Sequence, residues 1–407
     1  MVHVKDKVLK KTAEKYAGQM TSFLQDIVRI PSVNGRNPER PVALRLIEEA
    51  KYLELDFSLV FKDEDRPNAV VTCGNGSKSF ALIAHMDTVA EGAHSDWQTP
   101  PFDAEIRAEK MYGRGTADNK AGIACGLYTL AIMRELGMIN LKTQKIILAG
   151  VVDEESGACS SLGVRNLLDE GIFTGAEGAI YAYASDIVCI GHRGLLRLEI
   201  TTHGQSIHAG LAPWHNHTKG LNAVTALAEL LLELEKLEIQ AKGVAGFKHL
   251  GFTITPGTII TGGDYPSIVP NKASAMVDIR LLPGQTKDIV LDEVRKIIAG
   301  VKDRRPGLGV DYSIKVSIPG AAIPVDHPLA LIAQDHTEAV HGRRWDIRGA
   351  GPGNEGYMLI NAGIPTLCGF GPTGGNPHAP NEWIDIQSLP ATVEVFAGMI
   401  SAYLHEK

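Results

Sequence analysis

Apolar and polar positions repeat with a helical period over residues 12–30 and 41–55, then give way to short, nearly unbroken apolar runs at 57–61, 68–73 and 79–85. Runs of that length, rich in β-branched and aromatic residues and bounded by Gly, Asn and Asp, predict strands. Helices and strands then alternate. "GTADNKAGIACGLYTLAIMREL" (115–136) predicts a helix with Asp118 near its start, "KIILAGVV" (145–152) a buried strand, 160–171 a helix and "GAIYAYA" (178–184) another strand. Apolar strands separated by helices of this length imply a mixed, mostly parallel sheet covered on both faces.

Beyond residue 193 the rhythm changes. The order strand, helix, strand, strand, helix, strand over 193–318 is the ferredoxin-like βαββαβ unit. Its strands alternate apolar and polar positions, which predicts one exposed sheet face. After it, "HPLALIAQDHTEAVHG", "GIPTLCGFG" and "SLPATVEVFAGMISAYLHE" return to the first pattern. The fold class expected is therefore α/β, with a discontinuous larger domain (1–192 and 319–407) interrupted by a smaller one (193–318).

Composition narrows the partners. Of 407 residues, 44% are hydrophobic and 21% charged, enough for two cored domains. A formal net charge of −7 offers no basic surface for nucleic acid or membrane. Five scattered cysteines (73, 125, 159, 189 and 368), odd in number and never spaced C-x-x-C, argue against a disulfide framework or a zinc knuckle. No apolar run approaches the ~18 residues of a membrane span, and the charged start lacks a signal-peptide core. These features predict a cytoplasmic protein that acts on a small molecule.

The chemistry-bearing residues gather where strands end. "VVDEESG" closes an apolar run with Asp153, Glu154 and Glu155, three like charges that call for a cation. There, one Glu can ligate while its neighbour accepts a proton from water. "AHMDTV" ends another strand with His85 and Asp87, an imidazole and a carboxylate suited to fixing its tautomer. Asp118 falls amid glycines at a helix start, where an N-cap is the plain reading and a carboxylate bridging two ions the functional one. His378, in "GGNPHAPNEW", lies in a loop that packing does not explain. "HGQSIHAG" adds His203 and His208 near the start of the smaller unit, where a histidine can reach an oxyanion.

Taken in order, H-x-D, G-x-x-D-x-K-x-G, D-E-E-x-G, H-G-x-x-x-H-A-G, V-D-I-R-L-L-P and the late H-A-P span nearly the whole chain, and together they resemble the M20 family of metallopeptidases and amidohydrolases. The resemblance implies a catalytic domain with a lid and dimerisation domain inserted in it. It implies that His85 binds one metal with Asp87 orienting it, that Asp118 bridges two metals, that Glu155 and His378 complete the other, and that Glu154 is the general base. His208 would stabilise the oxyanion, in its own chain or across a homodimer formed through the lid. Arg280 of "VDIRLLP" would bind a substrate carboxylate, with a cross-strand structural role carrying equal weight. Asn271 and the loop 351–356 would be further substrate contacts. The cofactor implied is a divalent metal, zinc first with manganese or cobalt as alternatives, one or two ions per subunit.

One position departs from the family pattern. A carboxylate ligand is usual just upstream of "DIVCIGHRG", where this chain reads "IYAYASD", placing Ala182 or Tyr183 at that point and Asp186 three or four residues late. The activity expected is hydrolysis of a C–N amide bond in a small carboxylate-bearing substrate, an N-acyl amino acid or dipeptide. The altered turn keeps two alternatives: hydrolytic deamination of a small aromatic amine at an altered or mononuclear site, and a non-catalytic binding protein of the same fold. Serine hydrolase chemistry lacks its G-x-S-x-G elbow.

Overall fold

A computed structural model describes residues 2–240 and 243–406. The chain divides into two compact units, Met1–His192 with Ala322–Lys407, and Arg193–Ala321.

In the first unit a six-stranded sheet is built around Lys78–His85. That strand runs parallel to Gln144–Val151 on one side and to Ala176–Tyr181 on the other. Thr366–Cys368 extends the parallel part, while Asn68–Cys73 and Asp56–Val60 add an antiparallel edge beyond Gln144–Val151. The mixed, mostly parallel character has a direct cause: the central strands are apolar on both faces, so both faces must be covered. Phe80, Leu82 and Ile83 are fully buried, and each contributes about 1.5–3 kcal/mol by leaving water.

The helix Ala121–Glu135 is apolar on all sides and buried for most of its length, as a helix inside a large core must be. It approaches the sheet closely at Gly126, where a Cβ would lie 2.6 Å from Leu148 Cδ1. The helix begins at Ala121, later than the pattern predicts, and Asp118 is not its N-cap. Residues 116–120 form an irregular turn in which Asp118 (φ −129°, ψ 85°) and Asn119 leave helical geometry. Backbone groups there bond instead to a distant side chain, Glu382, a tertiary contact that overrides the local helical pattern.

Other boundaries move modestly. The first helix spans Val2–Arg29, further toward the N-terminus than expected, and the helix near 160 is confined to Val164–Asp169. A short strand, Trp383–Asp385, pairs with Lys110–Tyr112 where the sequence suggests only loop. No helix among the described residues is long and apolar enough to cross a membrane, and all five cysteines are free.

In the second unit four antiparallel strands lie in the order Thr253–Gly262, Lys272–Leu281, Gly194–His203, Gly309–Ile318. Burial alternates residue by residue along Lys272–Leu281. The inward set, including Val277, Ile279 and Leu281, packs with Leu230 of Ala223–Glu235 and Val294 of Lys287–Arg304 in one core. One face is thus packed and the other is polar or part-exposed.

Candidate metal centre

Parallel strands deliver their carboxyl ends to one edge of the sheet, where open α/β folds place their chemistry. His85 is the last residue of the central strand and lies level with Val151, two residues before Asp153. On the other flank Tyr181 pairs with Ile83, and the Ala182 N–H donates to the Ile83 carbonyl at 2.8 Å. The chain beyond those strands therefore carries Glu154 and Glu155 to one side of His85 and Tyr183 to the other.

The side chains of His85, Asp118, Glu155 and His378 converge. His85 Nε2 lies 2.8 Å from Asp118 Oδ1. His378 Nε2 lies 3.2 Å from Asp118 Oδ2 and 3.1 Å from Glu155 Oε1. Asp118 thus turns one oxygen to each imidazole. His85, Asp118 and Glu155 each offer an atom within 4.8 Å of the others'. Glu154 is buried, with Oε2 4.0 Å from His85 Nε2.

The electrostatics follow from that crowding. Hydrogen bonds to Asp118 and Glu155 push His378 up to about 10. Burial raises the Glu154 carboxyl well above the usual carboxylate range, and the charges of Glu155 and Asp118 add to the effect despite His85. Burial would also raise Asp118, but the two imidazoles outweigh it and hold the carboxyl low. Two imidazoles and several carboxylate oxygens with no lysine or arginine among them form a donor set that fits a divalent cation such as zinc.

Asp87 acts on more than His85. The His85 Nδ1 partner is the Asp87 backbone carbonyl at 2.9 Å, with carboxylate Oδ1 further off at 3.6 Å. The Asp87 carboxylate instead accepts from Asn34 Nδ2 (2.7 Å) and from the backbone N–H groups of Glu154 (3.2 Å) and Glu155 (3.0 Å). It anchors the turn that presents both glutamates. Burial opposes its ionisation, yet His85 and Asn34 hold it below the ordinary Asp value.

Asp153, the first of the three acidic residues, faces away from this donor set. Its backbone adopts φ 64°, a left-handed conformation that Asp tolerates through local hydrogen bonds. Arg66 Nη1 (3.0 Å), Asn34 Nδ2 (3.0 Å) and Ser160 Oγ (2.6 Å) satisfy its carboxylate. Asp186 is 73% exposed and 4.0 Å from Arg343. It is a surface residue facing an arginine, so the late carboxylate does not stand in for the missing one. Tyr183 is partly buried, its ring 5.7 Å from the His85 ring and stacked on Tyr181 at 5.4 Å.

Three supporting residues escape sequence reasoning. Glu382 is fully buried and accepts from the N–H groups of Gly115 (3.0 Å), Ala117 (2.8 Å) and Asp118 (2.9 Å), and from Arg114 Nη1 (2.6 Å). Burial pushes it up to about 7. Lys120, also buried, donates to the carbonyls of Ile27 (2.8 Å) and Ile30 (2.9 Å), and burial brings it down to about 7. Glu355 lies at the start of the helix Val164–Asp169, accepting from Val164 N at 3.5 Å, and burial raises it to about 8. The signals in the sequence were the motif around Asp118 for Lys120, the loop 351–356 for Glu355 and the position four residues after His378 for Glu382.

The remaining candidates lie in the second unit. His208 is exposed, and its Nδ1 accepts from the Gly210 N–H at 3.0 Å, which places the proton of the neutral ring on Nε2. Arg280 bonds its neighbour Asp278 through Nε (2.6 Å) and Nη2 (3.2 Å), and Arg197 reaches the same carboxylate across the sheet. Asn271 is exposed beside the strand Lys272–Leu281. His203 pairs with Asp311 at 3.1 Å.

Residues 81–402 match the family described as Peptidase family M20/M25/M40. The chain is 30% identical over 396 residues to the uncharacterized protein YgeY of Escherichia coli (strain K12), covering 92% of each. It is 30% identical over 337 residues to a probable succinyl-diaminopimelate desuccinylase of Staphylococcus epidermidis, covering 75% of this chain and 78% of that one. Among solved structures, the Bacillus subtilis YXEP protein, described as a dinuclear metal binding peptidase from the M20 family, superposes with a TM-score of 0.73 at 14% identity, over 96% of this chain and 99% of that one. The chain belongs to peptidase family M20/M25/M40 and is a hydrolase of that family.

Proposed function

We propose that the protein hydrolyses a linear C–N amide bond in a small, carboxylate-bearing substrate, an N-acyl amino acid or dipeptide, with Glu154 as general base. The observation that carries this reading is the placement of Glu154. It is buried, beside but apart from the convergent His85, Asp118, Glu155 and His378, and raised well above the usual carboxylate range.

Those four residues would hold one or two divalent cations, zinc first, with manganese or cobalt as alternatives. When bound, the ion polarises a carbonyl oxygen and brings the pKa of water toward ~7. Glu154 takes a proton from the attacking water and returns it to the leaving nitrogen as the C–N bond breaks. Asp87 keeps His85 and the Glu154–Glu155 turn in place. His208, with its proton on Nε2, is suited to donate to the oxyanion, a contact worth about 10²–10³ in rate. Arg280, held in orientation by Asp278, binds the substrate carboxylate, and Asn271 contributes a further polar contact.

Alanine at Glu154 is expected to lower turnover by about 10²–10⁴ while zinc content, measured by mass spectrometry, stays at the wild-type level. Full activity in that variant would sink the assignment. The stacked pair Tyr181 and Tyr183 beside His85 favours a second reading, hydrolytic deamination of an aromatic amine, which ammonia release without an acid product would identify. Convergence of a buried base with four ligating side chains argues against a non-catalytic binder.

We also infer a homodimer formed through the second unit, supported by the edge strand Thr253–Gly262 with Ile259 and Ile260 64% and 58% exposed. A monomer mass by light scattering would overturn it. Five free cysteines support a cytoplasmic location.

A further inference from the structure

We propose that the metal centre is unequal by construction: Asp118, Glu155 and His378 take the first divalent cation, and Tyr183 keeps a second ion from binding tightly beside His85. The inference rests on the metal-centre reading above and adds which half is filled.

The two halves differ in donors. Around His378, three atoms lie within hydrogen-bond distance of one imidazole nitrogen or are that nitrogen: His378 Nε2, Glu155 Oε1 at 3.1 Å and Asp118 Oδ2 at 3.2 Å. The imidazole is 53% exposed, so a fourth position is open to water or substrate. Three protein donors and an open place are what a catalytic ion needs. Around His85 Nε2 only Asp118 Oδ1 is comparably close among the described residues, at 2.8 Å, with Glu155 within 4.8 Å.

What could complete the His85 half is settled by sheet register. Lys78–His85 has a neighbour strand on each side, so beside the Asp118 turn it is the chain emerging from those strands that flanks His85 at its own level. On one flank the emerging residues are Glu154 and Glu155. Glu155 is already engaged with His378, and Glu154 Oε2 stands 4.0 Å from His85 Nε2. On the other flank, two residues past the Tyr181–Ile83 pair, stands Tyr183. It offers His85 a tilted aromatic ring at 5.7 Å instead of an anionic oxygen. The stack on Tyr181, with 23° between ring planes, holds it there.

Charge counting points the same way. The His378 half has the carboxylate of Glu155 and a share of Asp118. The His85 half has a share of Asp118; Asp87 lies on the Nδ1 side at 3.6 Å, Glu154 stands 4.0 Å from Nε2, and a phenol takes the other flank. A second dication beside the first would meet strong repulsion with Asp118 as the one carboxylate among the described residues in direct contact with His85 Nε2 to offset it. The second site should be at least about 100-fold weaker, since loss of an outer-sphere partner alone costs up to that much.

The test is a zinc titration of the chelator-stripped full chain by calorimetry, with zinc counted by mass spectrometry after gel filtration. Wild type is expected to retain about one zinc per chain. His378→Ala should lose it, and His85→Ala should keep it. Tyr183→Glu should raise retention toward two. The inference is overturned by two tight equivalents in wild type, by none, by His85→Ala losing the ion while His378→Ala keeps it, or by a Tyr183→Glu protein that melts like wild type and still holds about one. The His85 and His378 variants decide the matter even if Tyr183→Glu does not fold. One tight zinc without amide hydrolysis would sink the proposed activity alone, whereas hydrolysis with two tight zincs would sink the inequality alone.

Discussion

The two histidines that face Asp118 are held in opposite ways. His85 is the end of a buried strand, its ring closed off from solvent and its Nδ1 set against a backbone carbonyl two residues on. His378 sits on a loop, half exposed, with a left-handed backbone at φ 61°. A strand end is fixed by ladder hydrogen bonds and core packing; a loop must be fixed by something added. Here the addition is Glu382, four residues further along. It takes three backbone N–H groups of the 115–118 turn, and its own carbonyl accepts from Gly113 at 3.0 Å. The His378 loop and the Asp118 turn are thereby tied into one piece. The lesson is that a pair of side chains brought together from two irregular segments depends on a buried carboxylate that touches neither imidazole.

The largest expected effect follows from removing that tie. Glu382→Ala leaves Arg114, itself 1% exposed, without its anion. Breaking a buried pair in this manner costs about 3–5 kcal/mol, and three backbone donors lose their acceptor as well. Urea unfolding should report the loss. Glu382→Gln keeps one of the two acceptor oxygens but also removes the anion, so it should recover only part of the stability while weakening zinc affinity by about 10–100-fold. In histidine-selective NMR spectra of Glu382→Gln, the His378 signals should move and those of His85 stay. If both imidazoles responded equally, the division between a sheet-held and a clamp-held ligand would be wrong.

A smaller effect is expected on the sheet-held side. The Glu154 and Glu155 N–H groups use one Asp87 oxygen each, so Asp87→Asn keeps an acceptor for one of them and removes the charge that sits beside His85. Zinc affinity should fall by no more than about 10-fold, the lower end for an outer-sphere partner, because Asp87 reaches the tight ion through the Glu155 turn and not through His85. Turnover should fall further than affinity, since the turn carrying Glu154 loosens. An unchanged turnover with normal metal content would remove Asp87 from the positioning role.

How much of this was legible in the sequence depends on how local the cause is. The central strands were readable to within a residue or two, because burial on both faces writes an unbroken apolar run into the chain at 68–73, 79–85 and 145–152. The βαββαβ order was readable from alternation. The irregular turn at Asp118 was not. Its residues look like the first turn of the helix that follows, and what breaks the helix is an acceptor more than 260 positions away. The sequence marks Lys120 within G-x-x-D-x-K-x-G and Glu355 within the loop 351–356, but not their supporting roles, as burial of a charged side chain leaves no mark on its neighbours in sequence. Asp153 stands next to the two glutamates in sequence, but adjacency gives it neither the metal nor the proton, only a supporting place. In space it turns to Arg66 and Ser160, so the repulsion within the acidic triplet is relieved partly by an arginine.

The smallest expected effect concerns Asp186. Proximity in sequence to the departing turn makes it the natural substitute for a lost ligand, whereas its exposure and its facing of Arg343 at 4.0 Å make it a solvated surface charge. Exposed pairs at such a distance contribute about 0–1 kcal/mol, and surface changes away from special features stay within about 0.5 kcal/mol. Asp186→Ala should therefore leave zinc retention, turnover and the urea midpoint where they are in wild type. Tyr183→Glu, three residues earlier, is expected to change zinc retention. The contrast between these two neighbours tests whether sheet register, which sets Tyr183 beside His85, governs the centre. A loss of zinc in Asp186→Ala would mean that the turn can fold inward and that the carboxylate, not the phenol, meets the ion.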